Sequence, residues 1–196
     1  MSKYILAGGC DRKYPDYGRR LADFVKKEIT SPVVLSCCFS QPIEKRNTKR
    51  TDWDVWFAKY FDFAKNIIRA EEEVFFEQAQ QSDVIYLHGG ETRRLIKALP
   101  DFEAVRRAFE EKIVIGSSAG ANYLSTLSYS PSKNIVQNGS GILDMGVVVH
   151  YGISSFNEKR YSLAQWHSAA KSVKASLGGK PLILLPEGGF TVIDQE

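Results

Sequence analysis

The sequence has little of what metal and disulfide proteins are built from. Of its 196 residues only three are cysteine, Cys10, Cys37 and Cys38, and no Cys-x-x-Cys spacing occurs. An odd count, with two adjacent thiols inside an apolar run, speaks against a disulfide framework and against a zinc site, and implies free thiols in a reducing cytoplasm. No apolar run approaches the ~20 residues that a membrane span needs, and the first residues lack the charged, apolar and small-residue order of a signal peptide. The expectation is a cytoplasmic chain that does not engage a membrane. Neither the phosphate-binding Gly-x-x-x-x-Gly-Lys pattern nor Gly-x-Gly-x-x-Gly is present, which argues against a nucleotide cofactor. Positive charge is also scarce in excess: the formal net charge is +3 and the basic residues are scattered, so nucleic acid is not an expected partner. The densest basic stretch, Glu44-Lys45-Arg46-Asn47-Thr48-Lys49-Arg50, begins with an acid and reads as a solvated loop.

What remains is an ordinary globular composition, 43% hydrophobic and 25% charged, with no repeat and no linker rich in Pro, Gly or Ser. One domain over residues 1–196 is expected, large enough to bury roughly 70% of its unfolded surface. Short apolar runs alternate with longer amphipathic ones. Tyr4-Ile5-Leu6-Ala7, Val33-Val34-Leu35-Ser36-Cys37-Cys38-Phe39, Asp83-Val84-Ile85-Tyr86-Leu87 and Lys112-Ile113-Val114-Ile115-Gly116 read as buried strands, as do residues 142–149 and 181–185. Residues 190–193 are expected to pair beside 181–185. Helices are expected over residues 19–29, once or twice within 53–79, after Thr92, over 102–111, and over 163–177 with Gly178-Gly179 as the stop. The fold class that follows is α/β: three layers, α/β/α, around a mostly parallel central sheet. In such sheets ligands sit beyond the carboxyl ends of the strands. The loops that begin at Gly8, His88, Ser117 and His150 should therefore gather on one edge.

Gly116-Ser117-Ser118-Ala119-Gly120 fits the Gly-x-Ser-x-Gly nucleophile elbow. A strand must turn into a helix within about one residue, which strains the central position and pushes its side chain out at the sheet's rim. The flanking positions need to be small because a larger Cβ group would collide with the neighbouring strand and helix. Ser118 holds the central position, Ser117 is its rival, and a capping serine in a tight turn is the plain alternative. The Ala119 amide is placed to donate to an oxyanion, and Gly89 or Gly90, in the second glycine loop after a strand, could supply another. A phosphate at that loop is the rival use. Serine needs a base, and three histidines are available: His88, His150 and His167. His167 falls inside a helical run; His88 and His150 both follow strands, and His150, after Val147-Val148-Val149, is the preferred candidate. The acceptor that would hold its tautomer is Glu187, in Leu185-Pro186-Glu187-Gly188-Gly189, which could equally be an ordinary turn acid.

These segments together resemble the peptidase E (aspartyl dipeptidase, S51) family. Tyr86-Leu87-His88-Gly89-Gly90-Glu91-Thr92 is similar to its glycine loop, Ser118-Ala119-Gly120-Ala121-Asn122 to its nucleophile segment, His150-Tyr151 to its base segment, and Leu185-Pro186-Glu187-Gly188 to its late acidic turn. The resemblance implies a fold like the class I glutamine amidotransferases (flavodoxin-like), with serine in place of their cysteine. It implies a Ser–His–Glu triad at Ser118, His150 and Glu187, an oxyanion hole at the Gly90 and Ala119 amides, and no metal or cofactor. The substrate it implies is a small peptide, including dipeptides with N-terminal aspartate, and the assembly expected is a monomer or homodimer. Gly89, Asn122 and Arg160 are candidate substrate contacts; Arg160 and Arg93 have the fork to grip a carboxylate in a bidentate way. The other readings are an esterase or amidase using the same site, and an amidotransferase-like module that binds without catalysis.

Overall fold

The computed structural model describes residues 1–9, 14–156 and 158–195; Cys10, the first of the three cysteines, lies outside them. The four apolar runs form four adjacent strands, β1 (Ser2–Ala7), β2 (Val33–Cys37), β4 (Val84–Leu87) and β5 (Ile113–Ser117), joined by β3 (Asn66–Arg69) and β12 (Phe190–Gln195) in a six-stranded sheet of order β12-β1-β5-β4-β2-β3. All neighbours in it are parallel except β12 against β1. Strand alternation divides the side chains between two cores. Tyr4, Leu6, Leu35, Ile85 and Val114 face α3 (Phe75–Gln80), α4 (Thr92–Ala98), α5 (Phe102–Ala108) and α6 (Ala119–Leu124). Ile5, Ala7, Val34, Val84 and Ile115 face α1 (Pro15–Glu28) and α2 (Ile43–Tyr60). Helices cover both faces of a mostly parallel sheet, so the three-layer architecture expected from the alternation is the one present.

A second, four-stranded sheet stands beside the single central sheet that the sequence leads one to expect. β6 (Ser125–Ser130), β7 (Ile135–Asn138), β8 (Leu143–Val149) and β11 (Leu182–Leu185) form it in the order β11-β8-β6-β7. The helix α7 (Leu163–Ser176) covers one side, burying Trp166 and Val173 against Tyr129 and Val148. Its first turn is fixed by a reciprocal cap between Ser162 and Gln165, and Gly178 and Gly179, both at positive φ, follow its end as expected. Val147, Val149 and Leu185 on the other side join the first core. A short ribbon of β9 (Ser155–Phe156) and β10 (Lys159–Arg160) stands apart from both sheets.

Three expectations are corrected. Residues 190–193 do not pair beside 181–185: β11 pairs with β8 in the small sheet, while β12 crosses to the large sheet and runs antiparallel along β1, Ala7 opposite Phe190. The Pro186–Gly189 turn carries the chain between sheets, and β12 satisfies the backbone groups that β1 would otherwise leave unpaired. The basic stretch at 44–50 is the start of α2, not a loop. Phe57 and Phe61, both buried, anchor its far end at about 1.5–3 kcal/mol each, and a helix once nucleated extends cheaply through Lys and Arg. Arg46 adds an ion pair with Glu72 at 2.6 Å and lies over the Phe39 ring. Within 53–79, where only helices were expected, β3 occupies Asn66–Arg69 as a half-exposed edge strand beside β2; four residues at an edge carry too little apolar alternation to be read.

His88 closes the large sheet's core. Its ring is fully buried among Trp53, Tyr86 and Phe57, with centroids 4.1, 4.5 and 5.9 Å away, and its Nε2 pairs with Ser36 Oγ at 2.8 Å. Burial disfavours the imidazolium and pushes the pKa down to about 3 from the ordinary 6.5. The unfolded chain therefore binds the extra proton between those limits. Stability should fall as pH is lowered from 6.5 toward 3, by at most about 1.4 kcal/mol per pH unit from this group. Urea denaturation at pH 7 and pH 5 measures the fall, and His88→Gln, which cannot titrate, should remove this share of it.

Candidate active site

The carboxyl ends of β1 and β5 lie side by side, Ala7 opposite Ser117, and β4 ends on the other flank, Leu87 opposite Gly116. The ends of β8 and β11 are likewise aligned, Val149 opposite Leu185. Backbone bonds tie the two groups of strand ends together. The Gly8 amide donates to Gly189 O at 3.0 Å, the Gly188 amide to Gly9 O at 3.1 Å, and the His150 amide to Gly8 O at 3.3 Å. The approach leaves no room for a side chain: a Cβ on Gly8 would lie 2.0 Å from Pro186 O, and one on Gly9, at φ +93°, would lie 2.7 Å from His150 Cε1 and 3.0 Å from Ser118 Cβ. The loops expected to share one edge do share it.

Ser118 is the bend. Its φ of 50° and ψ of −101° put a non-glycine residue in sparsely populated backbone space, a strain of order 1–3 kcal/mol that only a well-determined surrounding can hold. Ser118 N donates to Ala7 O at 2.9 Å and Ser118 O accepts from Asn122 N at 3.0 Å. A Cβ on Gly120 would sit 2.2 Å from Leu87 O, and one on Gly116 2.7 Å from Ala121 N, which is why both flanks of the elbow are glycine. The competing Ser117 is buried in β5, whereas Ser118 is half-open and faces a cavity.

The structure brings Ser118, His150 and Glu187 into one line. Ser118 Oγ is 2.8 Å from His150 Nε2, and His150 Nδ1 is 2.9 Å from Glu187 Oε1. With Nδ1–H donating to the carboxylate, Nε2 is left to accept the serine proton. The His150 and Glu187 side chains are only 8% and 5% exposed, so water competes weakly for their contact. His150 takes a positive φ of 56°, and the Phe156 ring packs on its imidazole at 4.6 Å. His88 is excluded from the site by its aromatic cage, and His167 lies exposed on α7.

The glycine loop lies against the serine: a Cβ on Gly89 would be 3.4 Å from Ser118 Cβ and 4.0 Å from Oγ. Ser40 Oγ and Gln41 Nε2 both donate to Gly89 O, at 2.8 and 2.5 Å. Because the peptide is planar and trans, fixing that carbonyl fixes the Gly90 N–H in the opposite direction. Ser40 and Gln41 had no signal in the sequence beyond two polar residues after a buried strand. Beside the triad opens a cavity of about 350 Å³ lined by Gly90, Ser118, Asn122, Lys133, His150 and Phe156, among others. Asn122 is therefore at the site. Arg160 is exposed in β10 and Arg93 is exposed near the start of α4, and neither is among the described residues lining this cavity. Lys133 Nζ instead reaches Glu91 Oε1 at 2.7 Å, while Arg94 Nε holds Oε2 at 3.2 Å. Hydrogen bonding from Lys133 is the main reason that the Glu91 carboxyl titrates below its ordinary value. Among the described residues no three His, Cys, Asp or Glu side chains converge as a metal site, and no helix is long and apolar enough to cross a membrane.

Gly9 is the position where the geometry is most exposed to a single methyl. Gly9→Ala should push the imbedded imidazole away from Ser118, lengthening the 2.8 Å contact past hydrogen-bond range, and should lower stability by about 1–3 kcal/mol. A crystal structure of the variant and its denaturation curve give both readings.

The sequence profile of peptidase family S51 matches residues 66–196, the part that carries Ser118, His150 and Glu187. No curated protein matches the chain. Among solved structures, a similar one is the crystal structure of a protein assigned as a peptidase E from Listeria monocytogenes EGD-e, at 12% identity and a TM-score of 0.65, covering 98% of this chain and 94% of that one. At that identity the likeness speaks for the fold, and the profile, which spans well over half of the residues, speaks for the family. The chain belongs to peptidase family S51, and by that membership it is a peptidase.

Proposed function

We propose that the protein is a serine-type exopeptidase that hydrolyses short peptides through Ser118, His150 and Glu187. The observation that carries this reading is the unbroken relay from Ser118 Oγ to His150 at 2.8 Å and on to Glu187 at 2.9 Å, at the wall of a cavity. A space of about 350 Å³ lies at the small end of ligand sites and favours a peptide of a few residues over an extended chain.

Ser118 Oγ attacks the peptide carbonyl as His150 Nε2 takes its proton. The same imidazole then protonates the leaving amine, and a water repeats the sequence to release the acyl group. Glu187 holds the tautomer and stabilises the imidazolium while it exists. The Gly90 and Ala119 amides receive the negative charge on the carbonyl oxygen, a contribution of roughly 3–4 kcal/mol per donor in comparable sites. The Ser40–Gln41 grip on Gly89 keeps the first of those amides aimed before substrate arrives, so no reorganisation is needed in the transition state.

Ser118→Ala should leave the fold intact and abolish both peptide turnover and labelling by a fluorophosphonate probe. An unchanged rate would remove the proposal, and a wild-type protein that ignores the probe would favour a binding module on the same fold. Glu187→Gln keeps the shape and loses the charge, and should lower kcat by roughly three to four orders of magnitude. Aspartyl dipeptides, the substrates that the family resemblance implies, belong in the substrate panel together with short-chain esters; preference for the esters would mark an esterase.

A further inference from the structure

We propose that the cavity beside Ser118 receives the side chain of the residue whose carbonyl is attacked, and that it selects a neutral amide side chain, as in asparaginyl peptides, over a carboxylate. The placement of that side chain rests on the serine-peptidase reading; the selectivity rests on the cavity itself.

Asn122 N bonds to Ser118 O at 3.0 Å, so the two residues stand one turn apart on the same face of the chain. Both residues line the cavity, so a group attached next to a carbonyl on Ser118 shares that space with Asn122. This side chain is 5% exposed, and its Oδ1 has no hydrogen-bond partner among the described residues. A buried acceptor left in that state is uncommon and unfavourable. Its Nδ2 points to Thr92 Oγ1 at 3.5 Å, and Gln137 Nε2 donates to the same Thr92 oxygen at 3.2 Å. With two donors on its oxygen, Thr92 has its own hydroxyl proton left to give. Asn122, Thr92 and Gln137 all line the cavity. Among their unpaired groups, Asn122 Oδ1 is an acceptor and the Thr92 hydroxyl a donor, a pair that complements a primary amide. A carboxylate carries acceptors alone and would set an oxygen against Asn122 Oδ1.

The charges point the same way. Glu91 and Lys133 are the Asp, Glu, Lys or Arg side chains among the described residues that line the cavity, and they are paired with each other at 2.7 Å. Both Glu91 oxygens are engaged, the second by Arg94 at 3.2 Å. An incoming aspartate would have to take Lys133 from Glu91 and leave one carboxylate short of its partner, in a site that an uncharged amide enters without that loss.

Titration calorimetry on the full chain carrying Ser118→Ala, with Asn-Leu, Asp-Leu and Ala-Leu as ligands, tests the selectivity without turnover. Asn-Leu should bind at least tenfold more tightly than either of the others. Equal or tighter binding of Asp-Leu or Ala-Leu overturns the proposal, as does binding of none. Thr92→Val removes the donor and keeps the shape: added to the same chain, it should weaken Asn-Leu at least fivefold and Ala-Leu less than twofold, whereas an equal loss for both assigns Thr92 a structural role and counts against the proposal. Turnover of the three peptides by the unaltered protein is read separately. Selective binding of Asn-Leu with no hydrolysis sinks the peptidase reading and leaves the pocket assignment standing.

Discussion

Two sheets meet with no side chain between them at Gly8 and Gly9, and the rest of the site depends on that contact. The first strand of the large sheet ends in backbone that bonds directly to Gly189, Gly188 and His150. Ser118 comes from the large sheet, His150 from the end of a small-sheet strand, and Glu187 from the turn that passes from one sheet to the other. The 2.8 Å between Ser118 and His150 is thus an inter-sheet distance, and the 2.9 Å from His150 to Glu187 joins the ends of neighbouring strands β8 and β11. They hold because backbone, which has few soft dihedrals, sets them; flexible side chains do not have to find one another across a gap.

Strain and rigidity are distributed around this contact in a consistent way. Ser118 and His150 both sit at positive φ, and each is fixed through its own backbone amide to the β1 end, Ser118 to Ala7 O and His150 to Gly8 O. A bent serine and a bent histidine hang from consecutive carbonyls of one strand end. Ser40 and Gln41 do the corresponding job for the glycine loop, and His88, sealed among aromatic rings, holds the strand from which that loop leaves. The line from Ser118 through His150 to Glu187 is thus held by the chain's own backbone and side-chain contacts.

The parts of this that could be read from the sequence are those where one physical requirement leaves a dense local mark. Strands β1, β2, β4 and β5 are buried on both faces and appear as continuous apolar runs. The elbow at Ser118 needs small flanks and shows them. His150 and Glu187 were reachable because each follows such a run directly. Strands β6 and β7 escaped because Ser, Thr, Gln and Asn fill much of them, and a half-polar strand with small side chains resembles a loop. The division into two sheets, and the passage of β12 from one to the other, escaped for a different reason: pairing partners are decided by which backbone edges remain open, a property of the assembled sheets. The same holds for Gln137 and Lys133, which are brought to the cavity by tertiary contacts that leave no spacing behind.

The position of Glu187 between β11 and β12 has a consequence for the order of events. β11 docks on the small sheet and β12 on the large one, so the carboxylate reaches its imidazole only when the chain on either side of it has found a different home. Every other element of the relay precedes this segment in the polypeptide. A chain that lacks this segment has Ser118 and His150 with no carboxylate behind them, and the line of three side chains is completed together with the stitch that unites the two sheets.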